Sequence, residues 1–216
     1  MWENNGSGAF VDTGQALGSG DSWDVALGDV DGDGDIDVLS ASQNDDKIAW
    51  YENNNDEIFI EHVITTNADW TRSVYAKDVD GDGDMDILSA SHNDDKILMY
   101  ENNGNEVFSP VDIGTADGAN SVYAADVDSD GDMDVLSAST EDDRIAWYEN
   151  TGNARFTTHT IMPQRAGGRS PGAKHARSVF AIDIDGDGDM DVLSASEHDN
   201  TIACYVNNGN ENFTPK

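Results

Sequence analysis

The chain is poor in cysteine, in basic residues and in long apolar runs. One cysteine, Cys204, in 216 residues excludes an intrachain disulfide and any cysteine-built metal site, and leaves the redox compartment unreadable from cysteine pairing. Eleven Lys and Arg stand against 44 Asp and Glu, a formal net charge of -33. Such a surface repels a phosphate backbone or an anionic bilayer and has no basic face from which to release counterions, so no nucleic-acid partner is expected. No run approaches the ~18 apolar residues of a membrane span, so membrane insertion is not expected either. No basic start followed by an apolar stretch opens the sequence, so no signal peptide is expected at this point. A sustained 3.6-residue apolar period is also missing, so little helix is expected.

What is present points to a folded chain. Hydrophobic residues make up 37%, with five Trp, six Tyr and six Phe, too much apolar material for an acidic disordered segment. The length suits one large domain or a string of small repeated units. Trp2-Glu3-Asn4-Asn5 returns inside Trp50-Tyr51-Glu52-Asn53-Asn54 and Trp147-Tyr148-Glu149-Asn150, so the sequence reads as opening within a repeat.

The repeat is plain. Asp-Val-Asp-Gly-Asp-Gly-Asp or a near copy begins at Asp29, Asp78, Asp126 and Asp183, at intervals of 49, 48 and 57 residues. Each copy has a β-branched and aromatic segment before the acidic loop, such as Ser73-Val74-Tyr75-Ala76, and a Leu-Ser-Ala-Ser segment after it. A polar turn such as Asn93-Asp94-Asp95-Lys96, a segment like Ile48-Ala49-Trp50-Tyr51-Glu52, an Asn-rich turn and a segment anchored on Phe59, Phe108, Phe156 or Phe213 complete the unit. Four short strands joined by turn chemistry in ~48 residues match one blade of a β-propeller. The expectation is an all-β chain, one β-propeller domain over 1–216 with four four-stranded blades at 22–64, 71–113, 120–161 and 176–216. Residues 1–14 then belong to a preceding or closing blade, and the four blades either close a ring or form part of a larger propeller. The repeated aromatics are expected between blades, with the small Ser-Ala-Ser segments where packing is tightest.

The acidic loops carry the chemistry. Counting from the first Asp, carboxylates fall at positions 1, 3, 5, 7 and 9 with glycine at 6. Five like charges in nine residues repel strongly unless a cation sits among them, and Ca²⁺ takes six to eight oxygen ligands in a flexible shell. Glycine at position 6 allows the sharp turn. An EF-hand needs Glu at position 12 between helices; here position 12 is Ser40, Ser89, Ser137 or Ser194 between strands.

A loop that closes with Asp at position 9 between two strands of a blade resembles the calcium-binding FG-GAP repeat of integrin α-subunit propellers and the related bacterial VCBS repeat, over nearly the whole chain. The absence of Phe-Gly and Gly-Ala-Pro strings makes the bacterial branch the closer likeness. The resemblance implies that side chains at 1, 3, 5 and 9 and the main-chain oxygen at 7 ligate the ion. Those residues are Asp29, Asp31, Asp33, Asp35 and Asp37; Asp78, Asp80, Asp82, Asp84 and Asp86; Asp126, Asp128, Asp130, Asp132 and Asp134; and Asp183, Asp185, Asp187, Asp189 and Asp191. Four Ca²⁺ sites are expected. Ser129 replaces the position-4 glycine of the third loop, a change expected to be harmless. Loops of this kind suit millimolar calcium, hence an extracellular or cell-surface location.

The opposite loop face holds the positions that differ between copies: Trp23, Arg72, Asn120 and Arg177 at the start of the first strands, and the turns at Gln43, His92, Thr140 and Glu197. The longest connection, 162–177, collects Arg165, Arg169, Lys174, His175 and Arg177, a composition suited to an acidic polysaccharide or to a tolerated surface insertion. Trp23, Trp70, Arg72 and Arg177 are the candidate ligand contacts, since aromatic faces stack on sugar rings and guanidinium forks pair with carboxylate or sulfate. The five histidines are scattered, and no nucleophile, metalloprotease or phosphate-loop motif appears, so no catalytic residue is named. Relatives of the repeat include integrin heads and fungal lectins. The expectation is a non-catalytic calcium-binding module for adhesion or for carbohydrate or protein recognition, with a glycan or an extracellular protein as partner and self-association as a way to complete a larger propeller. The alternative is an accessory or catalytic propeller of a polysaccharide-degrading enzyme.

Overall fold

The computed structural model describes residues 2–4, 6–7, 10–12, 14, 16–18, 21–54, 58–162 and 173–216. Strands β1 (Trp2–Asn4) and β2 (Phe10–Asp12) form a two-stranded sheet. Four antiparallel four-stranded sheets follow, each in simple chain order. Blade 1 is β3 (Ser22–Gly28), β4 (Asp37–Ser42), β5 (Lys47–Asn53) and β6 (Phe59–Thr65); blade 2 is β7 (Thr71–Lys77), β8 (Asp86–Ser91), β9 (Lys96–Asn102) and β10 (Phe108–Thr115). Blade 3 is β11 (Ala119–Ala125), β12 (Asp134–Ser139), β13 (Arg144–Asn150) and β14 (Phe156–Met162); blade 4 is β15 (Ala176–Ile182), β16 (Asp191–Ser196), β17 (Thr201–Asn207) and β18 (Phe213–Pro215). The described residues contain no helix. This is the all-β propeller architecture.

Local chemistry sets the turns. Between second and third strands, Asp46, Asp95, Asp143 and Asn200 adopt φ of 53, 58, 53 and 53°, the left-handed region that Asp and Asn tolerate best after glycine. The freed carboxylates then reach across blades: Asp46, Asp95 and Asp143 accept the amides of Trp70, Gly118 and His175 at 3.0, 2.9 and 2.7 Å.

Burial lies between blades, in three copies of one interface. The trailing face of blade 1 gives Val30, Leu39, Ile48 and Trp50, which meet Val74, Ile87 and Tyr100 on the leading face of blade 2. Val79, Leu88, Ile97 and Met99 meet Val122, Val135 and Tyr148 in the same way, and Val127, Leu136, Ile145 and Trp147 meet Val179, Val192 and Tyr205. The second strands of the two middle blades, β8 and β12, are covered on both sides and buried throughout.

Hydrogen bonds repeat with the packing. The amides of Val74, Val122 and Val179 donate to Asp24, Ser73 and Ser121 on the preceding first strand at 3.1, 3.3 and 3.3 Å. Asn102, Asn150 and Asn207 donate through Nδ2 to the carbonyls of Val30, Val79 and Val127 at 3.1, 3.0 and 3.1 Å. Tyr75, Tyr123 and Phe180 form a ladder of rings with centroids 4.9 and 4.6 Å apart. This packing runs β3 to β7 to β11 to β15, and among the described residues no contact of comparable extent joins β15 to β3. In β1–β2, Asn4 pairs with Phe10 as Asn53 pairs with Phe59 and Asn102 with Phe108; the hairpin has the register of the outer half of a blade.

Candidate functional site

The acidic loops join the first and second strand of every blade and share one geometry. The position-6 glycines Gly34, Gly83, Gly131 and Gly188 adopt φ of 98, 99, 101 and 99°, which a side chain rarely adopts. Their amides donate to the position-1 carboxylates of Asp29, Asp78, Asp126 and Asp183 at 3.1 Å in every loop. Position-7 amides donate to the position-5 carboxylates of Asp33, Asp82, Asp130 and Asp187 at 2.8 to 3.1 Å. Ser129 takes φ of 65° where Gly32, Gly81 and Gly186 take 76, 79 and 80°, so the serine of the third loop sits in a conformation that disfavours it.

The position-9 carboxylates are fully buried and bridge two elements. Asp37, Asp86, Asp134 and Asp191 each accept one amide from position 2 of their loop at 2.8 to 3.1 Å. With the other oxygen they accept the amide of Asn53, Asn102, Asn150 or Asn207, at the end of the third strand, at 2.8 to 2.9 Å. Burial outweighs these bonds: Asp86 and Asp134 are pushed up to about 6, and Asp37 also stands above the usual carboxylate value. At position 3, burial and then neighbouring carboxylates raise Asp31, Asp80 and Asp128 against the lowering effect of one amide bond.

These carboxylates converge. Oxygens of Asp29, Asp31 and Asp33 lie within 4.8 Å of one another, as do those of Asp78, Asp80 and Asp82, of Asp126, Asp128 and Asp134, and of Asp183, Asp185 and Asp191. Each cluster could hold a metal ion. Positions 1 and 3 take part in all four clusters; the third member is position 5 in two loops and position 9 in two. The position-7 side chains of Asp35, Asp84, Asp132 and Asp189 stay outside. A Cβ on Gly104 or Gly209, in the Asn-Gly turn between third and fourth strands, would collide with the carboxylate of Asp84 or Asp189, so those side chains point at the turn.

On the opposite face the first strands begin with a bulge. Pairing with the second strand slips at Trp23, Arg72, Asn120 and Arg177, and the extra residue of a bulge is re-aimed out of the ladder. The slip brings four divergent side chains together at the mouth of the array. They line one cleft with Asp24, Ser73, Ser121 and Ser178. The Arg72 guanidinium lies 5.2 Å from the Trp23 ring and 5.0 Å from the Trp70 ring, within cation–π range of both. Its Nη1 donates to Asn120 Oδ1 at 2.8 Å, and Arg177 Nη1 donates to the same oxygen at 3.1 Å. Asn120 is held in turn by its Nδ2 on the Arg177 carbonyl at 2.7 Å. Burial, then Arg177, depress the pKa of Arg72, yet a guanidinium keeps its charge.

Of the four candidate ligand contacts, Trp23, Arg72 and Arg177 line this cleft, and Trp70 adjoins it through Arg72. Arg177 is spoken for by Glu197, at 2.8 Å from Nε and 2.6 Å from Nη2. Arg72 has no carboxylate within ion-pair distance among the described residues, and its Nε is buried without a hydrogen-bond partner. Arg165 and Arg169 lie outside the described residues. Asn120, the shared acceptor, carried no sequence signal beyond its place in the repeat. His175 and His198 stack at 4.0 Å with planes 9° apart, a pairing that scattered sequence positions conceal; with Glu197 they form a further group of ligating atoms, though Arg177 already holds Glu197.

The model of the FG-GAP-like repeat matches residues 29–89, 78–137, 126–194 and 183–216. The chain belongs to this family. Among solved structures, an Agrocybe aegerita lectin described for specific recognition of non-reducing terminal N-acetylglucosamine aligns with all of the FG-GAP-like chain at a TM-score of 0.65 and 19% identity. A Lactobacillus plantarum protein aligns over 99% of it at 0.65 and 14%, and the V. cholerae biofilm matrix protein Bap1 over 98% at 0.54 and 19%. Identities this low establish the fold alone. The FG-GAP-like chain spans 59, 60 and 30% of those three chains respectively. No curated protein matches it by sequence.

Proposed function

We propose that the protein is a calcium-stabilised, non-catalytic carbohydrate-binding propeller that works outside the cell or at its surface, in adhesion or matrix contact. The metal half of this reading rests on the loops. In two of them a position-1 oxygen, Asp29 Oδ1 or Asp126 Oδ1, is buried with no hydrogen-bond partner among the described residues, an arrangement that costs free energy unless a cation meets it. All-oxygen clusters on a glycine-hinged loop suit a hard cation, and Ca²⁺ tolerates their irregularity better than Mg²⁺. Positions 1, 3, 5 and 9 would supply carboxylates and position 7 its main-chain oxygen. Bound ions relieve the repulsion among the aspartates and lock each first hairpin.

The ligand half rests on one observation: in a chain of net charge -33, Arg72 lies between two indoles with no carboxylate partner among the described residues. Trp70 supports the reading, because it holds φ of 59° where the third blade has Gly118 at 68°, and a bulky residue there stores about 1–2 kcal/mol of strain. Such strain is characteristic of functional positions. Trp23, 55% exposed, offers a face for a sugar ring, and Arg72 offers a fork to a carboxylate, sulfate or ring hydroxyl. The lectin and biofilm-matrix neighbours accord with a glycan or protein ligand. The test is a glycan array in calcium buffer with wild type and Arg72→Ala, paired with a turnover assay on acidic polysaccharides. Binding that Arg72→Ala abolishes, without product, supports the module; product formation, or binding indifferent to Arg72, overturns it.

A further inference from the structure

The same isoleucine of the repeat has two fates. Ile48, Ile97 and Ile145 are 0% exposed, each buried on the trailing face of its blade, whereas Ile202, their counterpart in blade 4, is 84% exposed. Ile184 repeats the contrast: it is 51% exposed where Val30, Val79 and Val127 are 1 to 2%. Leu193 and Ala195, on the same face, are only half-buried, although their equivalents in blades 1–3 are fully buried. At the other end, Val25 is 65% exposed where Val74, Val122 and Val179 are 3 to 4%, and Leu27 is 66% exposed. One molecule therefore carries both halves of an interface that its own blades form three times.

The polar groups match as well. At each formed boundary a valine amide donates to a side chain of the preceding first strand; the Val25 amide instead turns to its neighbour Asp24 at 2.9 Å, and Ser178, equivalent to the acceptors Ser73 and Ser121, is exposed. At each formed boundary an Asn Nδ2 crosses to the preceding blade; among the described residues the Asn53 Nδ2 donates to Ile36 of its own loop, at 3.2 Å, and the carbonyl equivalent to the acceptor of the other three is that of Ile184.

We propose that a second copy of this chain docks head to tail, the trailing face of blade 4 on the leading face of blade 1, as a fourth repetition of the interblade interface. Ile202 and Ile184 then bury against Val25, the Val25 amide turns to Ser178 of the other copy, and Asn53 reaches the Ile184 carbonyl. The contact is heterologous, so two copies close a ring if the rotation per blade allows it and otherwise continue as a filament.

The test is sedimentation velocity of the whole chain in calcium buffer over a wide concentration series. Wild type is expected to run above the 23.2 kDa monomer, and Val25→Asp and Ile202→Asp, each at an exposed position and checked by circular dichroism, are expected to stay monomeric. Mixing the two variants is expected to restore 1:1 pairs, since one keeps an intact trailing face and the other an intact leading face. A wild type that is monomeric throughout, variants that associate like wild type, or a mixture without pairs overturns the proposal. So does a monomer whose mass shifts only when a separately produced blade of this repeat is added, which assigns the faces to further blades.

Discussion

Arg72 and Arg177, from blades 2 and 4, donate to one oxygen, Asn120 Oδ1 of blade 3, at 2.8 and 3.1 Å. Two guanidiniums on one neutral acceptor repel each other, and only Arg177 has a carboxylate to offset it. An incoming anion would meet a pre-formed fork rather than a flexible side chain, and so loses little conformational entropy on binding. Asn120→Ala removes the shared acceptor while leaving both charges in place. Affinity for an acidic glycan is expected to fall about tenfold, or ~1.4 kcal/mol, by titration calorimetry, beside a loss of stability of about 1 kcal/mol in the absence of ligand from the lost interblade bonds.

Chelation and acid should act in opposite directions on the free loops. Asp86 and Asp134 stand at about 6 in the folded chain against 3.8 for the free carboxyl, so between these values the folded state holds more protons than the unfolded one. Stability of the calcium-free protein therefore rises as pH falls from about 6 toward 4 on account of these groups. The calcium-dependent part behaves oppositely, because ligation needs ionised carboxylates. Melting curves with chelator and with calcium at pH 7 and pH 5 are expected to converge at the lower pH. Curves that stay parallel would refute the linkage.

Asp86→Asn tests the bridge itself. The carboxylate accepts from Val79 and Asn102, and an amide in its place sets a donor against one of those buried donors. A loss of about 2–3 kcal/mol is expected by urea denaturation in chelator, where no ion contributes.

Ser129→Gly should stabilise. The serine occupies the left-handed conformation that glycine supplies in the other three loops, and release of that strain is worth about 1 kcal/mol. The measurement is the denaturation midpoint; a decrease would mean that the hydroxyl contributes more than the backbone strain costs.

Ile145→Ala and Ile202→Ala make the same chemical change at the same place in the repeat. The first opens a cavity in a closed interface and should cost about 2–5 kcal/mol. The second, on a face that is open in the monomer, should cost little at low protein concentration and progressively more as concentration rises. Equal losses at low concentration would contradict the exposure of blade 4.

The fold was legible because the repeat announces itself four times. Aspartate spacing marked the loops, and Ser-Ala-Ser and Trp or Tyr marked the covered strands. The rim was legible only as a set of odd residues. Nothing in Trp23, Arg72, Asn120 or Arg177 as isolated letters says that the first strand bulges there and turns the four toward one cleft; the slip is a backbone event whose sequence trace is spread over two strands. Position 7 shows the same limit. Its aspartates look equivalent to those at 5 and 9, yet Asp84 and Asp189 lie against the glycine of a turn between the third and fourth strands. Exposure of Ile202 was likewise hidden, since its local sequence is that of a buried residue and only the missing neighbour makes it differ.

The Asn side chains that cross between blades give the array a direction. Asn102 donates its backbone amide to the Asp86 carboxylate of its own blade's loop and its Nδ2 to the carbonyl of Val30, inside the loop of the preceding blade. Each loop thus leans on the next along a single line, and the line has two ends that differ. In the monomer, loosening should travel as it does along a zipper, entering where the Ile184 carbonyl has no crossing Asn to hold it and reaching blade 1 last. In hydrogen exchange, protection of the four otherwise similar loops would then read as a staircase, with the step heights measuring how strongly one blade feels the state of the next.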